Sequence, residues 1–425
     1  MTDFSEAINR STSWLLAQQQ ENGGWGEQGG RYSNAMNTAE AIIGLIQADV
    51  QAARYESTAI QNAVAYLLRH QASEGADAGA WPREIHEGPD VDAVHVPDVC
   101  RTAVCLQAII MAGQRPDSAE AARATAWLLE VRNNDGGWGF GPSPPSTVLP
   151  TCRVLMALIE ATRAGWLDES QCVREGIAYL TARQDTEGAF ADGRLAAAHT
   201  VLSVMVLQRL RRAPDGAVTE DEARGMQWIR THPDEVLQKV EEKVALDYDR
   251  PEVNYEFVHA VDALTLRVLA DSSNPVDTTL DLWRDAANSL KDRMDHRGAF
   301  FGFRTYSWST AQGMSGLKAA QDQGITAFPQ RRPEPIEAAE PRPDRAADSL
   351  GFRVLAIAAV SVFIIGPLLV AARIGGPGLV IVLAIFEIAV MAFALVVTGQ
   401  LTGADYADVA KQALAGLSPG GKKDQ

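Results

Sequence analysis

Five threonines, Thr38, Thr102, Thr151, Thr200 and Thr310, each head a helical apolar pattern with an apolar residue four positions on and another at seven. Those residues are Ile42 and Leu45, Leu106 and Ile109, Leu155 and Leu158, Val204 and Leu207, and Met314 and Leu317. From Thr102 to Thr151, and again to Thr200, the spacing is 49 residues. Upstream of each threonine stands a glycine turn that ends in an aromatic: Gly24-Trp25, Gly79-Ala80-Trp81, Gly137-Trp138, Gly188-Ala189-Phe190 and Gly298-Ala299-Phe300. A fixed period of this kind marks one supersecondary unit used repeatedly, because a single helical hairpin cannot bury its apolar face alone. The chain is thereby restricted to a stacked or closed array of helix pairs.

Two sets of helices alternate. A polar set is expected at about 4–19, 56–71, 117–132, 168–184, 221–232 and 277–295, with Asp117, Asp168, Asp221 and Asp277 near helix starts as N-cap chemistry favours. A more apolar set is expected at about 36–48, 98–113, 150–164, 195–210, 256–270 and 307–320. No segment here alternates with the period of a strand, so the fold class is all-α. Six hairpins with apolar members inside close into an (α/α)6 toroid over residues 1–322, an open solenoid being the alternative. The fifth unit departs from the rule: His232 to Asn254 replaces the glycine turn with charged residues, and no threonine heads the next helix.

A net charge of −16 excludes nucleic acid as a partner, since phosphate binding requires clustered Lys and Arg on one face. Four cysteines without CxxC spacing, and an N-terminus lacking an apolar leader core, point to a reducing, cytosolic compartment. Residues 323–350 form a Pro- and charge-rich linker. Beyond it, within 351–400, two apolar runs at about 354–372 and 379–399 have the length of membrane spans. Arginines and lysines flank the pair and only Arg373 lies between, which predicts a two-pass membrane protein with toroid and both termini cytoplasmic and a tail at 401–425. Glu387, deep in the second run, marks helix association, homo-oligomerisation through the hairpin, or a conduit.

The glycine-aromatic turns that follow a Gln-bearing helix, as in Gln18-Gln19-Gln20-Glu21-Asn22-Gly23-Gly24-Trp25, resemble the repeats of squalene-hopene cyclases and protein prenyltransferase β subunits over roughly residues 4–322. The cyclase resemblance implies an Asp-x-Asp-Asp-Thr-Ala segment at the head of one inner helix, its middle acid protonating an alkene or epoxide. In that register the chain reads Asp98-Val99-Cys100-Arg101-Thr102-Ala103, so a thiol stands where the proton donor belongs. Upstream, Asp90-Val91-Asp92 is a second partial match, and Asp92 with Asp90 and Asp98 in support is the catalytic expectation. The prenyltransferase resemblance implies Zn²⁺ held by an Asp-x-Cys pair and a histidine, with Asp98 and Cys100 as the matching pair and His199 or His259 as the third ligand. The expectation is that no cofactor is bound, zinc at Asp98 and Cys100 being the alternative.

Arg31, Arg101, Arg153, Arg194 and Arg304 fall near inner-helix starts, where parallel helix N-termini would converge on one rim as a seat for an anionic head group. His199, His259 and Trp308 lie near the same rim. Two functions remain open at this point: a membrane-tethered toroid, catalytic or not, that takes an isoprenoid or similar lipid, and a sensing toroid coupled to the hairpin as a defence or signalling effector. A carbohydrate-active reading would need two opposed acids such as Glu84 and Glu87.

Overall fold

The computed structural model describes residues 3–26, 32–48, 57–85, 94–115, 118–167, 171–191, 193–211, 217–238, 240–245, 254–272, 280–300 and 307–328. A first compact unit runs from Met1 to Arg331. The outer helices are α1 (Phe4–Ala17), α3 (Thr58–Arg69), α5 (Ala119–Glu130), α7 (Gln171–Thr181), α9 (Glu220–Thr231) and α12 (Leu280–Arg293). The inner helices are α2 (Ala35–Gln47), α4 (Val99–Met111), α6 (Val148–Arg163), α8 (Ala196–Arg211), α11 (Val261–Ala270) and α13 (Ser307–Asp322), with a short α10 (Pro233–Val236) after α9.

Each inner helix packs on the next in the order α2, α4, α6, α8, α11, α13, and α13 returns to α2, so the inner set closes a ring. Outer helices α3, α5, α7, α9 and α12 back the inner helix that precedes them, while α1 backs α13. The closure is sealed where Phe4 N–H donates to the Thr326 carbonyl at 2.8 Å and the Phe4 and Phe328 rings meet edge to face at 4.7 Å. The expected helices stand within a few residues of their sequence positions. The caps of α5 and α9 are Ser118 and Thr219, which receive the N–H groups of Ala121 and Glu222; Asp221 lies inside the first turn of α9, and Asp117, Asp168 and Asp277 lie outside the described residues.

The threonine register has a concrete cause. The hydroxyls of Thr38, Thr102, Thr151, Thr200 and Thr310 accept the backbone N–H of Trp25, Trp81, Trp138, Phe190 and Phe300 at 2.9, 2.9, 3.0, 3.0 and 3.1 Å. Each bond supplies a buried donor with its partner inside the wall between inner and outer layers. The three tryptophan rings in turn donate Nε1–H to the carbonyls of Leu15, Leu67 and Leu128 on the preceding outer helix. Fully buried, each ring withdraws roughly 150–250 Å² from water, worth at most about 4–6 kcal/mol before entropy is counted.

Two residues before each aromatic the chain takes positive φ, for example +106° at Gly188 and +98° at Gly298. A Cβ at Gly188 would lie 2.4 Å from the Arg224 carbonyl oxygen of α9, the next outer helix, and one at Gly298 would lie 2.6 Å from the Arg10 backbone of α1. The same docking therefore links successive units and closes the ring at α12 and α1. Gln19, Gln71 and Gln184 reinforce it, each Nε2 bridging a turn carbonyl to one at the start of the next outer helix.

Strands are the main departure from the all-α expectation. Among the described residues three two-stranded antiparallel pairs occur: β1 (Trp25–Gly26) with β2 (Ser33–Asn34), β3 (Arg83–Ile85) with β4 (Val94–Val96), and β5 (Val240–Ala245) with β6 (Asn254–His259). The last fills the irregular fifth unit and occupies the start of the helix expected at 256–270, which begins instead at Val261. The fold is thus a mostly helical ring with hairpin insertions.

The two-pass membrane expectation, with its cytoplasmic placement of toroid and termini, is corrected: among the described residues no helix is long and apolar enough to cross a membrane. The runs at 354–372 and 379–399, Glu387 and the linker lie outside the described residues.

Gly188→Ala and Gly193→Ala separate docking from backbone strain. Gly193 has φ +59° and open space around its missing Cβ. Urea unfolding is expected to show a loss of about 1 kcal/mol for Gly193→Ala and about 3 kcal/mol or more for Gly188→Ala. Equal losses would mean that strain alone, not contact with α9, demands the glycine.

Candidate functional site

All six inner helices line a pocket whose empty space, open solvent included, is about 520 Å³. Ile43, Met156, Leu202, Met205 and Leu264 give it an apolar wall, and Glu40, Gln107, Arg153, Arg267 and Gln312 give it polar groups. Across the lumen Arg153 Nη2 on α6 meets Glu40 Oε1 on α2 at 3.1 Å, and Gln312 Nε2 on α13 approaches the same oxygen at 3.4 Å. With side chains only 12% and 7% exposed, the pair is shielded from water. Glu40 escaped the sequence reading although a signal was present: it is the single charge within the apolar run of α2.

Asp98 is committed elsewhere. It caps α4, its Oδ1 accepting the Arg101 N–H at 2.9 Å, while Oδ2 holds Arg83 Nη2 at 3.0 Å. Arg101 Nη1 donates to the Pro82 carbonyl at 2.8 Å. Cys100, between them, is 2% exposed, and burial, with Asp98 adding to it, pushes its thiol well above the ordinary range. The Cys152 thiol, which lines the cavity, is pushed by burial to about 12 against the opposing pull of its Ser203 contact. Neither thiol is an available nucleophile or proton donor at neutral pH.

Three ligand-type side chains gather at His199, Glu242 and His259. His199 precedes Thr200 in the first turn of α8, Glu242 is on β5, and His259 ends β6. Both histidine Nε2 atoms lie 3.0 Å from the same oxygen, Glu242 Oε2, and the rings stand edge to face at 6.1 Å. All three are buried. Burial alone would raise the Glu242 carboxyl, but the two imidazole hydrogen bonds outweigh it and bring it down to about 2. Burial lowers the His259 imidazole, Glu242 working against that shift, and Arg153 is close enough to add to the lowering. The expected third ligands, His199 and His259, are thus brought together, though on Glu242 rather than on Asp98 and Cys100. Glu242 was missed because it lies in the charged stretch that breaks the repeat.

The remaining expected residues are dispersed. Arg194 is exposed in a 3₁₀ turn, and Trp308 is half-buried against the core near the start of α13. Asp90, Asp92, Glu87, Arg31 and Arg304 lie outside the described residues, as does the side chain of Glu84. A rim shared by five arginines therefore reduces, among the described residues, to Arg153 inside the lumen, Arg101 held by a carbonyl, and Arg194 at the surface.

A closed ring of helical hairpins, joined by glycine-aromatic turns and lined at its centre by all six inner helices, defines a terpenoid-cyclase-like toroid. The profile of the family described as squalene-hopene cyclase C-terminal domain matches residues 2–96 and 95–208, and over that part the chain is similar to the squalene-hopene cyclase repeat superfamily. It is 26% identical over 225 residues to a squalene–hopene cyclase of Bradyrhizobium diazoefficiens, a match covering 46% of this chain and 32% of that one. Against the squalene–hopene cyclase of Zymomonas mobilis it is 29% identical over 213 residues, covering 44% and 30%. The chain thus spans about a third of the length of these relatives. Among solved structures, a protein from Actinoplanes shares the fold at a TM-score of 0.52 and 17% identity, covering 76% of this chain and 100% of that one.

Removing one member of the lumen pair strands the other. Arg153→Met alone is expected to lower stability by about 3–5 kcal/mol, and Arg153→Met with Glu40→Leu by far less. A double-mutant cycle in urea reads the coupling; additive single effects would mean that the two side chains do not interact.

Proposed function

We propose that the toroid binds an isoprenoid or similarly elongated lipid in its lumen, with Arg153 meeting an anionic head group. The observation that carries this reading is the cavity built from all six inner helices, apolar along one wall and polar where Arg153, Glu40 and Gln312 meet. Met156 and Met205 suit such a ligand because unbranched thioethers repack around irregular apolar shapes. The relatives are named for squalene, an isoprenoid hydrocarbon, which supports the ligand class.

Binding, not acid-driven cyclisation, is the activity proposed. Asp98 spends its carboxylate on the α4 cap and on Arg83, and Cys100 is too weak an acid to protonate an alkene. Asp92, with Asp90, is the acid that the competing cyclase reading requires.

Organic extraction of the purified chain followed by mass spectrometry is expected to release an isoprenoid lipid. Met156→Trp with Met205→Trp fills the cavity and is expected to weaken binding of geranylgeranyl diphosphate at least about tenfold, roughly 1.4 kcal/mol. An empty protein that binds neither this probe nor squalene overturns the proposal. Conversion of either probe to a cyclised product, lost in Asp92→Asn, would replace it with the cyclase reading.

A further inference from the structure

We propose that His199, Glu242 and His259 form a binding site for a zinc ion. Among the described residues these three supply the ligand atoms of His, Cys, Asp or Glu that cluster tightly enough for one ion, all within 4.8 Å of one another. Two imidazole nitrogens and one carboxylate oxygen are a donor set that suits Zn²⁺. In a tetrahedral site, with metal-ligand distances of about 2.0–2.2 Å, neighbouring ligand atoms stand about 3.4 Å apart. The two nitrogens here lie 3.0 Å from the oxygen and all three ligand atoms lie within 4.8 Å of one another, so shifts of the side chains alone bring them to that spacing.

The repeat gives no reason for these residues. The position before the register threonine is Asn37, Arg101, Pro150, His199 and Ser309 in the five units, so nothing in the unit requires histidine there. Glu242 and His259 belong to the β5–β6 hairpin, which replaces the glycine-aromatic turn in the one unit without it. Val240 pairs with His259 and Glu242 with Phe257, so the ladder holds the two ligands at fixed offset on adjacent strands. A departure from the repeat that buries two imidazoles around one carboxylate, instead of apolar side chains, makes a site rather than a core. Asp98 and Cys100 are not part of it: the first is taken by the α4 cap and Arg83, and the second lies outside the cluster. Three protein ligands leave the fourth zinc position for water or a ligand oxygen, the arrangement of sites at which zinc acts as a Lewis acid or anchors an anion.

The test uses the untagged full-length chain, stripped with a chelator and titrated with Zn²⁺ against a chromophoric competitor. One equivalent is expected to bind. His199→Ala, His259→Ala and Glu242→Gln are each expected to weaken it at least about tenfold, as loss of one ligand or its charge does. Circular dichroism of each metal-free variant establishes that it is folded. Glu242→Gln keeps a hydrogen-bond acceptor for both histidines, so its loss of affinity reports coordination rather than packing. In addition, Co²⁺ loaded into the stripped chain is expected to give the visible absorption of a low-coordinate N/O site, absent in His259→Ala. No binding above the competitor background, equal binding in the folded variants, or iron rather than zinc copurifying with the protein would overturn the assignment.

Discussion

A glycine at positive φ can lay its Cα against the backbone of a neighbouring helix where any side chain would collide, and five turns of this chain do so. That contact sets how far apart successive outer helices stand, and the threonine hydroxyl beneath each turn sets how far the inner helix lies from the outer one. Both contacts recur in five of the six units, the fifth carrying the β5–β6 hairpin instead, and the inner helices close. Open solenoids need polar capping repeats at their ends. Here the Gly298 turn docks on α1 as the Gly188 turn docks on α9, and no end is left to cap.

Helix positions were legible because this interaction leaves a local trace: glycine, aromatic and threonine fall at short offsets with an apolar period behind them. Contacts between distant residues leave no such trace. Asp98 could be recognised as the head of an inner helix, but its role depends on Arg83, which β3 brings from the loop before it. Arg153 was visible as a helix-start arginine, yet its partner Glu40 is four helices earlier in the chain and meets it only across the lumen, with α4 between their helices. The hairpins were missed because β1 and β2 are two residues long, too short to show a period, and because β6 runs into α11 with apolar residues that read equally well as a helix.

Regularity and chemistry are divided between units. Where the repeat is obeyed, the buried polar atoms of the layer are spent on one another: hydroxyl on turn amide, indole on helix carbonyl, Gln amide on two carbonyls. The fifth unit, which lacks that set, is where two histidines converge on a glutamate. Sites of this kind are expected where local sequence logic fails, because a residue satisfying the fold has no lone pair left for a ligand. The same reasoning explains why the register position of a cyclase acid is a poor guide here. At Thr102 the scaffold is retained while Asp98 is held by its cap and its arginine.

On the proposed reading, the lumen selects by charge as well as by shape. Arg153 and Glu40 are both withdrawn from water, and separating them without a substitute carries a penalty of several kcal/mol. A purely hydrocarbon guest has nothing to offer the guanidinium and must fit along the Met156 and Met205 wall with the pair intact. A guest ending in an anion can take the place of Glu40 on Arg153, and Gln312, already 3.4 Å from Glu40 Oε1, keeps a hydrogen bond to the freed carboxylate without replacing its cation, so the guest's own contacts must offset that loss. On this reading the ion pair between α2 and α6 is also the feature that discriminates among elongated lipids.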